Sequence, residues 1–296
     1  MTKTGFIEIV NDKKFNLDKT IYPSFNYSLI KKINNKYIVI HGKLKNAVIV
    51  VSNNNILFSG LTLNQAREIT GLWIDIENES RKLTKKNKRL IDELINYYAD
   101  VGLSINTVDK DIMFLSSFLS RNTDFHRNVS RWINYLCDCG LSLNCFEKAY
   151  FRFRSYQLKD LTNAYLAFKK IERKIIDAPL LLKTKNIGPK VIIAYLLFSS
   201  RVGKYYAPPD KNYQKMVKKL GLIEHYVLPN KNLCLTHLSR KCYGCVLYDK
   251  CIVGQSIREF KGLSGWLQTI LYIHSKTYCR KKLCQSCFLR NLCASR

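Results

Sequence analysis

The spacing of apolar positions divides the chain into a strand-like beginning and a long helical remainder. Short β-branched runs at Tyr37-Ile-Val-Ile, Ala47-Val-Ile-Val-Val and Ile56-Leu-Phe predict strands. Ser52-Asn-Asn-Asn predicts the turn between the last two runs, because asparagine tolerates positive φ. A short helix is predicted from Leu61 to Ile69. Together these features predict an antiparallel β-domain over residues 1–80.

From about Arg81, apolar residues recur with a period near 3.6, the period of an amphipathic helix. Helices are predicted at 88–98, 109–121, 126–138, 145–156, 159–176, 189–200, 210–221 and 262–274. The charged run over 81–89 is either a linker or a solvated first helical turn. The fold class is therefore α+β, with a helical core over 81–232 and a cysteine-rich segment over 233–296.

The charge balance changes this picture, because 49 Lys and Arg face 22 Asp and Glu, a formal net charge of +27. Such an excess indicates a polyanionic partner, with nucleic acid first and an anionic membrane surface second. A basic composition without such a partner is the third interpretation. The sequence has no apolar run long enough to span a membrane and no apolar signal-peptide core. We expect an intracellular protein of the cytoplasm or nucleoid that does not associate with membranes.

Eight of the eleven cysteines lie in two groups of four near the end of the sequence. The groups are Cys234-x7-Cys242-x2-Cys245-x5-Cys251 and Cys279-x4-Cys284-x2-Cys287-x5-Cys293. Intracellular thiols stay reduced, so clustered cysteines indicate metal ligands. Four thiolates can hold a 4Fe–4S cluster or a zinc ion. The other three, Cys137, Cys139 and Cys145, have no ligand partners nearby and are expected to be free thiols.

The segment Thr184-Lys-Asn-Ile-Gly-Pro-Lys190 predicts a tight turn followed by an apolar helix. Proline suits the first helical position, and free amides at a helix N-terminus can cradle an anion. An ordinary interhelical turn is the alternative. The segment resembles the helix-hairpin-helix of DNA-binding proteins, usually Leu-Pro-Gly-Val-Gly-x-Lys, with Asn186 in place of the first glycine. The resemblance implies DNA contacts from Lys185, Asn186, Ile187 and Gly188.

Asp210 stands twenty residues after Lys190, in a Pro-Asp turn that precedes a helix. This arrangement resembles the helix-hairpin-helix DNA glycosylases of the endonuclease III superfamily, although their usual Val-Asp-x-His has Asn212 at the histidine position. The resemblance implies that Lys190 is the nucleophile and Asp210 the catalytic aspartate. From the residues alone, Lys190 could instead be a phosphate contact or a surface lysine, and Asp210 a plain helix N-cap.

Three further segments resemble parts of the same superfamily. The segment from Phe118 to Asn128 is similar to its Leu-Ser-Gln-Asn-Thr stretch, which implies that Arg121, with Asn122 beside it, fills the gap left by an extruded base. A solvent-exposed arginine at a helix end is the alternative.

The β-rich beginning resembles the N-terminal domain of the 8-oxoguanine and 3-methyladenine glycosylases. The terminal quartet resembles the iron–sulfur loop Cys-x6-Cys-x2-Cys-x5-Cys, which implies phosphate contacts from Arg280, Lys281 and Lys282.

The first quartet has no counterpart that we can place in endonuclease III. It could hold a second 4Fe–4S cluster or a zinc ion. It could also be the true cluster site, with zinc in the terminal quartet.

The resemblance implies a monomeric DNA glycosylase with lyase activity at abasic sites of duplex DNA, acting through a lysine Schiff base and β-elimination. A monofunctional glycosylase, a non-catalytic nucleic-acid-binding protein stabilised by metal, and an electron-transfer protein are the alternatives. The damaged base stays open. The β-domain favours 8-oxoguanine, and the terminal loop favours oxidised pyrimidines.

Overall fold

A five-stranded antiparallel sheet forms the beginning of the chain in the computed structural model, which describes residues 7–10, 15–52, 55–171 and 175–293. The strands are β1 (Ile7–Val10), β2 (Ile30–Ile33), β3 (Lys36–Val39), β4 (Val48–Ser52) and β5 (Asn55–Ser59), in the spatial order β1-β5-β4-β3-β2. Between β1 and β2 lie the short helix α1 (Leu17–Ile21) and a 3₁₀ helix (Phe25–Ser28). One face of β5 is buried through Ile56 and Phe58, so the sheet packs on the core by one side.

The remainder is helical. The α-helices are α2 (Leu63–Thr70), α3 (Ile76–Arg81), α4 (Lys85–Tyr97), α5 (Lys110–Leu119), α6 (Ser130–Asp138), α7 (Leu143–Phe153), α8 (Tyr156–Lys159), α9 (Leu161–Ile171), α10 (Pro189–Ser199), α11 (Lys211–Lys219), α12 (Lys231–His237), α13 (Ile252–Phe260) and α14 (Ser264–His274). The 3₁₀ helices are Ile175–Lys183, Arg201–Tyr205, Leu238–Arg240, Lys261–Leu263 and Arg290–Leu292, and π-helical turns lie at Phe125–Val129 and Ser275–Cys279.

The predicted α+β class and the N-terminal antiparallel sheet are confirmed. Strands β1 and β2 were not predicted, because Ile30-Lys-Lys-Ile carries too few apolar residues to stand out from the sequence around it. The charged run over 81–89 starts at the end of α3, forms a three-residue connection over 82–84 and continues as the first turn of α4 from Lys85. Two predictions lie partly outside the described residues: the asparagine turn, at 53–54, and the continuous helix over 159–176, at 172–174.

Helix α10 lies at the centre of the core. Gly188 is its N-cap and Pro189 its first residue, and every residue from Val191 to Ser199 is buried. It packs against α5, where the Ser117 hydroxyl donates to the Val191 carbonyl at 2.6 Å. Helix α11 packs in turn against α14. These contacts hold the start of α10 and the start of α11 in fixed positions.

The expectation that Cys137, Cys139 and Cys145 are free thiols is wrong for two of them. Cys139 and Cys145 form a disulfide, whereas Cys137 is a free thiol. The turn between the two helices brings the two Cα atoms to 5.8 Å, within the range that a disulfide spans. Among the described residues, no helix is long and apolar enough to cross a membrane.

Candidate active site

The predicted hairpin turn joins the 3₁₀ helix Ile175–Lys183 to α10. Asn186 adopts the left-handed conformation, with φ of 64°, so the turn is kept without the usual glycine, as predicted. The side chain of Ile187 is buried beneath the turn, and Lys185 is exposed. Gly188 has φ of −108°, and a Cβ added there would meet nothing within 4 Å. The protein's own packing therefore leaves open space beside Gly188.

Lys190 projects from the first turn of α10 into a cavity. Its amine donates to the carbonyl and to the hydroxyl oxygen of Ser120, each at 3.0 Å. Burial lowers the pKa of the Lys190 amine, and the charge of Arg121 lowers it further, whereas Asp210 acts to raise it. A lowered pKa increases the fraction of neutral, nucleophilic amine.

Asp210 caps the N-terminus of α11. One carboxylate oxygen accepts from the Tyr213 amide at 2.8 Å, and the other accepts from the Gln268 side-chain amide at 3.2 Å. Pro208 and Pro209 lead directly into this turn, and both are buried. The residue is thus a helix cap, and capping leaves its carboxylate in the same cavity as Lys190.

The cavity has a volume of about 790 Å³ and lies between the hairpin, α11, α14 and the start of the chain. Its lining combines aromatic, polar and basic groups. The residues are Tyr22, Pro23, Phe25, Ser120, Arg121, Asn122, Thr123, Asp124, Phe125, His126, Gly188, Lys190, Val191, Ala194, Phe198, Pro208, Pro209, Asp210, Lys211, Asn212, Gln214, Gln268, Tyr272, Lys276 and Arg280.

Arg121 is fixed to the hairpin. Its guanidinium donates to the carbonyls of Phe118 and Asn186, each at 2.8 Å, and lies 3.6 Å from the Phe118 ring centre. Asn122, next to it, is exposed and has φ of 50°. The structure therefore presents Asn122 at the cavity entrance, and Arg121 joins the two DNA-binding segments predicted from the sequence.

Of the three cations predicted in the terminal loop, Arg280 lines the cavity, whereas Lys281 and Lys282 are exposed outside it. The π-helical turn before the loop is anchored on both sides. Lys276 forms an ion pair of 3.6 Å with Asp124, and the Tyr278 hydroxyl hydrogen-bonds to that of Tyr97.

Each cysteine quartet surrounds a cavity of its own. Cys279, Cys284, Cys287 and Cys293 line a cavity of about 450 Å³. Cys234, Cys242, Cys245 and Cys251 line one of about 10 Å³. Among the described residues, no three His, Cys, Asp or Glu side chains are arranged as a metal site. Seven of the eight are free thiols in the structure: Cys234, Cys242, Cys245, Cys251, Cys279, Cys284 and Cys287.

One face of α14 and of the π-helical turn that follows it supplies three cavity residues that were not predicted, Gln268, Tyr272 and Lys276, in line with the predicted Arg280. Gln268, Tyr272, Lys276 and Arg280 follow each other at four-residue spacing, and all line the cavity. The Gln268 carbonyl oxygen is buried and has no hydrogen-bond partner. An amide side chain in the mostly apolar run Gly265-Trp-Leu-Gln-Thr-Ile-Leu is the signal that could have identified it.

Aromatic residues from the beginning of the chain were missed as well. The His126 ring stacks on that of Tyr22, with centres 4.1 Å apart, and Phe25 lies 5.4 Å from Phe125 and 4.6 Å from Phe198. Burial lowers the pKa of His126 to about 4, so this wall of the cavity is uncharged at neutral pH.

The chain matches no protein-family profile and no curated protein sequence. Its fold is similar to solved DNA glycosylases over almost its whole length. The 8-oxoguanine glycosylase/lyase of Clostridium acetobutylicum, bound to double-stranded DNA with cytosine opposite 8-oxoguanine, superposes with a TM-score of 0.66 at 16% identity, covering 93% of this chain and 96% of that one.

Two further structures agree. MBOgg1 in complex with a low-affinity DNA ligand gives a TM-score of 0.64 at 15% identity, with 92% and 96% of the chains covered. The 3-methyladenine DNA glycosylase of Archaeoglobus fulgidus gives 0.54 at 13% identity, with 92% and 99% covered. The chain therefore has the α+β fold that these 8-oxoguanine and 3-methyladenine DNA glycosylases share.

Proposed function

We propose that the protein is a base-excision repair glycosylase with lyase activity at abasic sites of duplex DNA. One observation carries the proposal: the Lys190 amine, with its pKa lowered, and the Asp210 carboxylate line one cavity beside the hairpin turn. The net charge of +27 and the similarity of fold to DNA glycosylases point to the same substrate.

The reaction begins with extrusion of the damaged nucleotide, because C1′ of its deoxyribose is inaccessible within the duplex. Gly188 would let the hairpin backbone approach a phosphate closely, and the segment of Arg121 and the exposed Asn122 would enter the gap left by the displaced base. The aromatic wall and the unpartnered Gln268 oxygen suit a flat base that carries a hydrogen-bond donor.

The neutral Lys190 amine then attacks C1′, the bond from C1′ to the base breaks, and the base leaves with the bonding electron pair and takes up a proton. Asp210 accepts a proton from the attacking amine and stabilises the cationic sugar. Ring opening then breaks the bond from C1′ to O4′, which takes up the proton held by Asp210 and becomes a hydroxyl, and leaves a protonated Schiff base between Lys190 and C1′. Removal of a C2′ proton then expels the 3′ phosphate by β-elimination.

The terminal quartet would hold a 4Fe–4S cluster. Four thiolates are the required donor set, and the four cysteines share a cavity of about 450 Å³. The cluster would supply a rigid anchor for the loop that carries Arg280, while Lys190 and Asp210 perform the bond-breaking steps.

Among damaged bases, 8-oxoguanine is the first candidate, because solved glycosylases of the same fold act on it. An oxidised pyrimidine is the second candidate, from the resemblance of the terminal loop to endonuclease III. A panel of duplexes, each with one lesion, ranks the two by single-turnover rate of base release.

Borohydride trapping tests the mechanism, since it reduces a Schiff base to a stable covalent bond. Wild type should become attached to duplex DNA that carries the preferred lesion, and Lys190→Gln should not. Lys190→Gln should keep its DNA affinity within about tenfold, because one polar contact is worth little over 1 kcal/mol. Lys218→Gln is the matched control, since Lys218 is an exposed lysine of α11 outside the cavity.

Undiminished trapping by Lys190→Gln would refute the assignment of the nucleophile. Base release without trapping by wild type would favour a monofunctional glycosylase that uses water activated by Asp210. Binding of duplex DNA without base release would leave only the non-catalytic alternative.

A further inference from the structure

The first cysteine quartet differs from the terminal one in size and in surroundings. Cys234, Cys242 and Cys251 are each only 7% exposed, and their common cavity measures about 10 Å³ against about 450 Å³ for the terminal quartet. A space of about 10 Å³ accommodates one water-sized sphere. An eight-atom iron–sulfur cube does not fit there, whereas one ion with four thiolates at about 2.3 Å does.

The loop that carries the last three of these thiols packs on the core through Leu247 and Tyr248 and hydrogen-bonds to Val227, but its outer side lacks apolar burial. It consists of turns, with Lys241 and Cys242 both at positive φ. Two of its apolar side chains, Tyr243 and Val246, are 83% and 81% exposed. Its inner side combines the three thiols with Leu247 and Tyr248, and an ion bound by the thiols would add to this limited apolar contact.

The segment that carries the first quartet also contacts the residues that lead into the hairpin turn. Helix α12, which carries Cys234, packs against the 3₁₀ helix Ile175–Lys183. The Lys231 amine donates to the carbonyl of Thr184, the residue before the turn, at 3.2 Å. The Tyr206 hydroxyl donates to the Leu238 carbonyl at 2.6 Å, which ties the loop to the connection between α10 and α11.

We propose that Cys234, Cys242, Cys245 and Cys251 bind a single zinc ion, and that this ion fixes α12 against the hairpin. The metal site stands independently of the proposed function. Only its effect on DNA affinity rests on the hairpin as a DNA-binding element.

Metal content of protein purified without oxygen tests the site. Wild type should contain about one zinc per chain in addition to iron. Cys245→Ser should lose the zinc and keep the iron, Cys287→Ser should do the reverse, and Cys137→Ser, at a free thiol outside both quartets, should keep both. Zinc that persists in Cys245→Ser, or iron lost from it, would overturn the assignment.

X-ray absorption at the zinc edge needs no variant and covers the case in which Cys245→Ser fails to fold. Wild type should show four sulfur neighbours near 2.3 Å and no metal neighbour. Wild type without zinc, or with a disulfide within this quartet, would refute the site.

The role of the ion is tested on undamaged duplex, so that base excision does not enter. Removal of zinc by a chelator should weaken binding about tenfold and increase hydrogen exchange over 184–188, and added zinc, but not magnesium, should restore both. Unchanged exchange at the hairpin after zinc loss would refute the supporting role, whatever the outcome for the glycosylase reaction.

Discussion

Replacement of Asp210 by asparagine separates the two tasks that the structure gives this residue. As an N-cap, its Oδ1 accepts from the Tyr213 amide at 2.8 Å, and asparagine caps helices equally well. The new side-chain amide would face the Gln268 amide, but Gln268 can flip, because its carbonyl oxygen has no partner at present. Asp210→Asn should therefore retain the local fold and lose only the negative charge.

The expected magnitudes differ widely between stability and rate. Loss of a carboxylate at a helix N-terminus costs about 0.3–1 kcal/mol, or a few degrees in melting temperature. Loss of the group that accepts the proton and stabilises the cationic sugar should slow base release about 10²–10⁴-fold. Asp210→Ala, which also removes the cap, should cost about a further 1 kcal/mol in stability at a similar rate.

The assay is single-turnover kinetics as a function of pH, on a damaged duplex and on a duplex with a preformed abasic site. Because the charge of Asp210 raises the pKa of Lys190, Asp210→Asn should move the inflection of the trapping rate to lower pH while its plateau falls. A plateau equal to wild type would refute the catalytic role of Asp210. An inflection moved to higher pH would refute the electrostatic coupling to Lys190.

Three further outcomes are expected. Burial lowers the pKa of Lys190 in the folded state, so the unfolded chain binds more protons between that pKa and about 10.4. Lys190→Gln should therefore be more stable than wild type at neutral pH. Chemical denaturation should show that this gain in stability shrinks as pH rises toward 10. Gly188→Ala should fold normally, since its Cβ meets nothing within 4 Å, yet bind duplex DNA about tenfold more weakly; equal affinity by fluorescence anisotropy would exclude close backbone approach at the hairpin. The binding constant for undamaged duplex should fall as salt rises, with a log–log slope of about −4 or steeper. A binding constant that does not change with salt would contradict the interpretation of the +27 charge as the sign of a polyanionic partner.

The hairpin turn, Lys190 and Asp210 could be singled out from the sequence because the signal for each is local. A left-handed residue, a proline at the first helical position and an apolar run fix the turn within a few residues, and Asn186 satisfies the first requirement as expected. Asp210 could be singled out because two prolines precede it directly. The catalytic roles of Lys190 and Asp210 stay predictions until the kinetic tests are made.

The parts that escaped prediction depend on packing between distant segments. Gln268 is a functional candidate only because α14 packs against α11 and brings its amide to Asp210, 58 residues away in the sequence. Arg121 could be located but its contacts could not, since the Asn186 carbonyl that it binds lies 65 residues further on. The pairing of Cys139 with Cys145 is local instead: it depends on the turn between α6 and α7, which brings the two Cα atoms to 5.8 Å and which apolar periodicity does not determine.

The four-residue spacing along α14 connects the terminal quartet to the cavity. Gln268, Tyr272, Lys276 and Arg280 form one continuous face that begins beside Asp210 and ends one residue past Cys279. The chain remains helical through the π-helical turn Ser275–Cys279, so we expect order in the terminal loop to affect the residues that line the cavity. A metal bound by the terminal quartet would then act on DNA binding and base recognition by fixing the end of this helix, without contact with the reacting atoms. Metal loss is accordingly expected to disturb the Arg280 end of the face first and the Gln268 end last, because each turn closer to Asp210 is also held by the packing of α14 on α11.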